Sequence, residues 1–255
     1  MNPLLASATG DFSDAMDFIF HKRESVSGGI KVGGSELIGF TANHLGVSLA
    51  AVVAACLISV PIGLWLGHIG KGEFVAITIS NVGRAVPTLA LLAFFIAYLG
   101  VGFTNVVVVL LLLAIPPILT NVYVGIRQVD RDTVDAARGM GLSELQIIRR
   151  VELPLALPII FGGIRTASVN VVATATIAPL ASIDTLGTPI INANVYGGPG
   201  RLAAAILVAL LTLAIDIALL AVQKAVTPAG LKLARGEEQQ RRFPLLQPRR
   251  REQPT

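Results

Sequence analysis

The sequence is poor in the residues that most often carry enzyme chemistry. It has one cysteine and one tryptophan among its 255 residues. With Cys56 alone, an intrachain disulfide is excluded, and its apolar surroundings make it a small packing residue. The three histidines, His21, His44 and His68, stand far apart in the sequence and form no metal-ligand pattern. The apolar stretches hold no His-Glu-x-x-His, no Cys–His arrangement and no paired carboxylates, which argues against an intramembrane protease or lipid transferase. A Walker-type glycine loop followed by Lys-Ser/Thr is also missing, so ATP is not expected to bind through that motif. Charge is scarce: 14% of residues, against about 25% in ordinary soluble domains.

What fills the chain instead is apolar sequence, 53% of residues, with a mean hydropathy of +0.72. Of the 25 glycines and 14 prolines, 8 and 6 sit inside the long apolar stretches given below, where membrane helices tolerate them better than soluble helices do. About 20 apolar residues are needed to cross the hydrocarbon core. Stretches 45–67, 74–100, 104–125, 155–179 and 202–223 meet that length, giving an all-α integral membrane protein of five spans, with six as the alternative count. The second stretch is interrupted by Asn81, Gly83, Arg84 and Pro87, so it reads as one broken span or two short segments. Pro116-Pro117 predicts a kink in the third. Residues 1–44 form an N-terminal segment. It has no unbroken apolar h-region of the signal-peptide kind, and Asp11, Asp14 and Asp17 give it the spacing of a short amphipathic helix outside the bilayer.

The net charge of +4 does not imply nucleic acid, because 8 of the 20 Lys and Arg lie after Gln223. The tail 224–255 is too polar to repay ordering entropy and reads as a disordered basic segment beside anionic lipid. The loop 126–154 holds Arg127, Arg131, Arg138, Arg149 and Arg150, whereas the loop 181–201 holds one basic residue, at its end. By the positive-inside rule the former loop and the tail are cytoplasmic and the N-terminus is outside, although Lys22, Arg23 and Lys31 weigh against it.

The loop 126–154 is the informative segment. Asp130 or Asp132 can cap a first short helix that Gly139 and Gly141 end. Ser143 with Gln146 is a capping-box pattern for a second helix. On that helix Leu145, Ile148 and Val151 recur at helical spacing, opposite Arg149 and Glu152. Pro154 and Pro158 then open the next span. Such a helix–turn–helix with an apolar face can dock in a groove of another protein or lie in the headgroup layer.

This pattern resembles the signature of importer-type ABC permeases: an acid followed by Ala-Ala, three residues, Gly, nine residues, an aliphatic, any residue, then Leu-Pro. Asp135, Ala136, Ala137, Gly141, Val151, Leu153 and Pro154 match it, with Asp135 where Glu is usual and Val151 where Ile is usual. Leu142 and Leu145 belong to the same hairpin. Within that superfamily the chain is similar, from about residue 44 to 221, to permeases for osmoprotectants. Val86-Pro87-Thr88-Leu89-Ala90, Val151-Glu152-Leu153-Pro154-Leu155-Ala156-Leu157-Pro158 and Gly163-Ile164-Arg165-Thr166-Ala167 carry that likeness. The run Ser182-Ile183-Asp184-Thr185-Leu186-Gly187 departs from it, since relatives have a more glycine-rich turn there.

The resemblance implies a MetI-like bundle in the bacterial cytoplasmic membrane whose hairpin couples to a separate ATPase. That ATPase would hold ATP and Mg, with no cofactor on this chain. It also implies an extracytoplasmic substrate-binding protein and a second permease subunit, and a cargo such as glycine betaine, choline, carnitine or a proline-like solute. An ion-coupled secondary transporter is the rival, but it would want paired carboxylates within the membrane, and Asp216 stands alone there.

Several polar residues lie inside the spans. Thr166, Asn170 and Thr174 stack at i, i+4 and i+8, with Ser168 and Thr176 nearby. They line a solute path or bond between helices. Arg84 sits in the broken span and could line the same path, whereas Arg165 and Asp216 are expected to form a structural ion pair. With three tyrosines and one tryptophan in no cluster, an aromatic cage for a quaternary ammonium is not expected on this chain.

Overall fold

The structure is a computed structural model that describes residues 3–74, 78, 83 and 86–227. Arg84, Asn81 and the basic tail beyond 227 lie outside the described residues. Helix α1 (Pro3–Phe20) leads into a two-stranded antiparallel hairpin, β1 (Lys22–Glu24) and β2 (Lys31–Gly33). Then come α2 (Glu36–Ile69), α3 (Thr88–Leu99), α4 (Phe103–Arg127), α5 (Arg131–Gly139) and α6 (Glu144–Ile147). A π-helical turn (Ile148–Glu152) joins α6 to α7 (Leu153–Thr174), which tightens into a 3₁₀ segment (Ala175–Ala181). Short α8 (Gly187–Ile191) and long α9 (Ala193–Val226), kinked at Gly197, are the last elements of the described residues.

Among the described residues, four helical runs are long and apolar enough to cross a membrane: Glu36–Ile69, Phe103–Arg127, Glu144–Ala181 and Ala193–Val226. Of the interrupted stretch 74–100, the regular part described is α3. Its 12 residues reach only about 18 Å at 1.5 Å per residue, short of the roughly 30 Å core. Pro87 sits in extended conformation just ahead of it and sets the break. Helix α4 continues as one helix through Pro116 and Pro117.

The first span begins well before residue 45, because Glu36 opens α2 at its first turn. One Glu36 carboxylate oxygen accepts from the Gly33 N–H and the other from the Tyr196 hydroxyl, each at 2.9 Å. Those bonds fasten the helix start to the N-terminal hairpin and to the start of α9. Phe18 and Phe40 meet the Tyr196 ring edge-on, at 6.4 and 6.2 Å between centroids. Ala15, Phe18, Val32, Leu37, Leu186 and Ala203 bury around that cluster. The N-terminal segment is thus folded down as a cap on the 182–200 region, not left as a lone surface helix. In the same region Ser182 adopts φ 63, the left-handed position where a glycine sits without strain.

Below the cap the bundle is held by close backbone approach. In α2, Val47, Ala51, Ala55, Ser59, Gly63 and Gly67 recur every four residues and are buried, a small-residue stripe of the kind that lets membrane helices touch. A Cβ added to Gly63 would stand 2.7 Å from the Val122 Cβ, and one added to Gly67 would stand 2.7 Å from the Ile126 Cβ, both on α4. Gly163 of α7 approaches the other side of α4, where an added Cβ would meet the Pro117 carbonyl oxygen at 2.8 Å. One helix is therefore gripped from two sides through glycines.

Gly63→Ala is expected to destabilise the purified protein by about 1–3 kcal/mol through overpacking, lowering Tm in a thermal unfolding assay in detergent. Gly46→Ala in the same helix faces open space and should leave Tm unchanged or raise it. Equal behaviour of the two variants would contradict the close approach.

Candidate functional site

At the end of the bundle opposite the cap, residues 128–152 form a helical hairpin. The Asp130 side chain caps α5 by accepting from the Asp132 N–H at 3.1 Å. Helix α5 ends at Gly139, and Gly141 turns the chain at φ 84. The capping box is present: the Ser143 N–H donates to Gln146 Oε1 at 2.9 Å. Among the described residues nothing lies within 4 Å of where a Gly141 Cβ would be, so the demand for glycine comes from backbone conformation and not from crowding.

The second helix of the hairpin is not a separate short element. It runs through the π-turn straight into α7, so hairpin and span form one rod, Glu144–Ala181. The wide turn falls immediately before Pro154, whose ring clashes with the carbonyl four residues earlier in a regular α-helix. The extra residue in that turn alters which side chains share a face. Ile147 and Ile148 are buried, Leu145 is 62% exposed, and Glu152 is fully buried. The expected apolar face of Leu145, Ile148 and Val151 opposite Glu152 is therefore corrected: Leu145 faces out and Glu152 faces in.

The signature residues divide accordingly. Asp135, Ala136, Gly141 and Leu145 lie on the open surface, together with Met140 at 75% exposure. Ala137, Leu142, Val151 and Leu153 pack with Val134 and Ile147 against the main core, and Pro154 is half-buried at the start of α7. Met140 is the surface residue the spacing did not single out; its place in the turn beside Gly141 was the available signal.

Behind this surface runs a chain of charges that also escaped the sequence. Arg138 donates to Asp135 Oδ1 at 2.8 Å and to both oxygens of Glu144, at 3.0 and 3.1 Å. Glu144 Oε2 lies 2.9 Å from His68 Nε2, and His68 Nδ1 lies 2.7 Å from Glu152 Oε2. His68 closes α2, directly after Gly67. Its place between two carboxylates could not be read from a stretch 76 residues away in the chain. The other histidines lie elsewhere: His21 pairs with Asp17, and His44 is buried with Nε2 2.8 Å from the Val172 carbonyl oxygen. The Arg138 guanidinium, and after it His68, hold the Glu144 carboxyl below the usual carboxylate range. Glu144 is thus charged throughout neutral pH. Its stabilising contact is present above the unfolded carboxylate pKa and is lost only as pH falls through the lower folded value.

Along α7, Thr166 and Asn170 are exposed on the surface of this subunit and Thr174 is half-buried. Thr166 donates back to the Gly162 carbonyl at 3.0 Å, and Asn170 has no hydrogen-bond partner among the described residues. Ser168, on the other side, is buried and donates to the Ile164 carbonyl. Arg165 donates to both Asp216 oxygens, at 3.0 and 2.8 Å, joining α7 to α9 in a bidentate pair. The Gln223 amide, which donates to the Pro158 carbonyl at 2.8 Å, lies beside Arg165. Charge inside the membrane is thereby neutralised locally.

The family model described as "Binding-protein-dependent transport system inner membrane component" matches residues 59–229. The choline transport system permease protein of Bacillus subtilis is 37% identical over 204 residues, 80% of this chain and 94% of that protein. The glycine betaine/carnitine/choline transport system permease protein of the same organism is 38% identical over an equal share of each. Among solved structures, the MetNI methionine ABC transporter in inward-facing conformation aligns with a TM-score of 0.66 at 22% identity, covering 75% of this chain and 96% of that one. The bundle is thus of the MetI-like kind.

Removing one member of the α7–α9 pair should cost more than removing both. Asp216→Leu leaves Arg165 unpaired among apolar helices and is expected to lower Tm, while Arg165→Leu with Asp216→Leu recovers part of the loss. Additive effects in a double-mutant cycle would show that the two do not interact.

Proposed function

The chain belongs to the binding-protein-dependent transport system inner membrane components, and from that footing we propose that it passes small quaternary-ammonium compatible solutes into the cell. It is the membrane-spanning permease subunit of an ABC importer in the bacterial cytoplasmic membrane, and ATP is hydrolysed by a separate ATPase. The solute class rests on the relatives, whose names specify choline, glycine betaine and carnitine. These share a trimethylammonium group.

The observation that carries the mechanism is the position of the signature hairpin. It stands at the end of the bundle away from the cap, with Asp135, Ala136, Met140, Gly141 and Leu145 presented outward. That face docks the ATPase, which holds ATP and Mg. The hairpin is one rod with α7, so a push on it is delivered to the helix that carries Thr166, Asn170 and Thr174. Thr166 and Asn170 turn away from this subunit's own core, and Thr174 is half-buried in line with them. They face a solute path completed by a second permease subunit, a copy or a paralogue. Switching between outward and inward access then follows from a bistable arrangement biased at one end by nucleotide and at the other by the loaded binding protein.

Selectivity rests with the binding protein. Outside the Phe18–Phe40–Tyr196 cluster of the cap, the ring contacts among the described residues are Phe94 with Phe95 and with Tyr98, all on α3. A stripe on a single helix does not enclose a cation as a cage does.

Gly141→Leu is expected to abolish ATP-dependent uptake of glycine betaine or choline at unchanged membrane level. Gly141→Asn, which tolerates a left-handed backbone better, should retain more uptake than Gly141→Ala. Full uptake in Gly141→Leu, or uptake that persists after the ATPase is deleted, would refute the docking assignment. The purified permease without its binding protein should show no micromolar binding of glycine betaine by calorimetry.

A further inference from the structure

Besides the apolar packing of Val134, Ala137 and Ile147 against the core, two ties join the hairpin to the bundle. The first is covalent, through the π-turn into α7. A π-turn is a locally widened and weakened stretch of helix, and Pro154 removes a further backbone hydrogen bond beside it. A push entering at α5 and α6 could be absorbed there as bending. The second tie spans that weak point from outside. His68, its side chain 7% exposed, stands between Glu144 on the near side of the π-turn and Glu152 at its far end. Glu144 in turn holds Arg138 of α5.

Glu152 makes the arrangement informative. Its side chain is fully buried, Oε2 faces His68, and Oε1 has no hydrogen-bond partner among the described residues. A half-satisfied buried carboxylate is costly, and an apolar residue in its place would ordinarily serve stability as well or better. The carboxyl group stands where it fixes the end of α2 against the root of α7. The end of α2 is itself held on α4, because Gly67 brings it against Ile126 and the Tyr123 carbonyl.

We propose that His68 is a positioning residue for energy coupling: by bridging Glu144 and Glu152 across the π-turn it makes α2 move with the hairpin. The ATPase stroke is then delivered to α2 and α7 together, and through α2 to the stripe gripping α4. This rests on the hairpin being the ATPase contact, and the test separates the two.

In a Cys56→Ser background, spin labels are placed on the exposed residues Lys71, just past α2, and Thr133, on α5. The complex purified by a tag on this chain, with its ATPase and binding protein, is reconstituted in liposomes. The label distance is read by pulsed electron resonance without nucleotide and with trapped ATP. The expected result is one narrow distance that is the same in both states. In His68→Gln it broadens or differs between states, and glycine betaine imported per ATP hydrolysed falls at least threefold while the ATPase still copurifies. His68→Lys, which places a cation between the two carboxylates, should restore the narrow distance.

An unchanged distance and unchanged import per ATP in His68→Gln would overturn the proposal. So would loss of the ATPase from that variant, since His68 would then shape the docking face and not transmit from it. If His68→Gln fails to reach the membrane, Glu144→Gln, at the exposed side of the same tie, is read by the same two measurements. Glycine betaine uptake by the parent complex that needs no ATP would instead refute the functional reading beneath it.

Discussion

Everything in this fold depends on how closely α2 and α4 approach. Hydrocarbon offers no hydrophobic drive for helices to associate, so packing contact and satisfied polar groups must hold them. The Ala51–Ala55–Ser59–Gly63–Gly67 stripe supplies contact by subtraction, letting the α2 backbone rest on Val122, Ile126 and the carbonyls of Leu119 and Tyr123. Gly163 repeats the device between α7 and α4. The last glycine of the stripe precedes His68. The contact that builds the bundle therefore also delivers the histidine to the signature hairpin.

Function follows from having the two ends of this bundle built differently. At the cap end, Glu36, Tyr196, Phe18 and Phe40 bind the N-terminal segment, the start of α2 and the start of α9 into one small aromatic core. Asn43 adds a bond to the Asp184 carbonyl at 2.9 Å, and Thr185 reaches the Ala175 carbonyl. Gly187 lies so close to the Thr176 carbonyl that a side chain there has no room. At the hairpin end the surface is charged and open, and its order comes from ion pairs. An aromatic core resists sliding, whereas a ring held between carboxylates transmits position through a few directed bonds.

Much of the hairpin was legible from the chain, because its signals are local. Asp130 as a cap, Ser143 with Gln146, and a glycine at the turn each report on neighbours within four residues, and each stands where the spacing placed it. The face of the second helix was misread for an equally local reason: helical periodicity assumes 3.6 residues per turn, and a π-turn does not keep it. Glu152 looked like a solvent-facing acid. It is buried because a histidine from another helix reaches it.

The sequence by itself determined the class of the protein, the broken segment at Pro87 and the signature hairpin. Composition, hydropathy and short-range capping are properties of contiguous residues, and a bilayer enforces them strongly. It also named Arg165 and Asp216 as charges that need each other, since an apolar solvent leaves an ion few alternatives. Only the tertiary structure decided that small residues of α2 meet α4, that the N-terminal segment folds onto the 182–200 region, and that His68 stands between Glu144 and Glu152. Those facts depend on which faces of distant helices meet. No local periodicity encodes that choice, because it is settled by how whole helices pack.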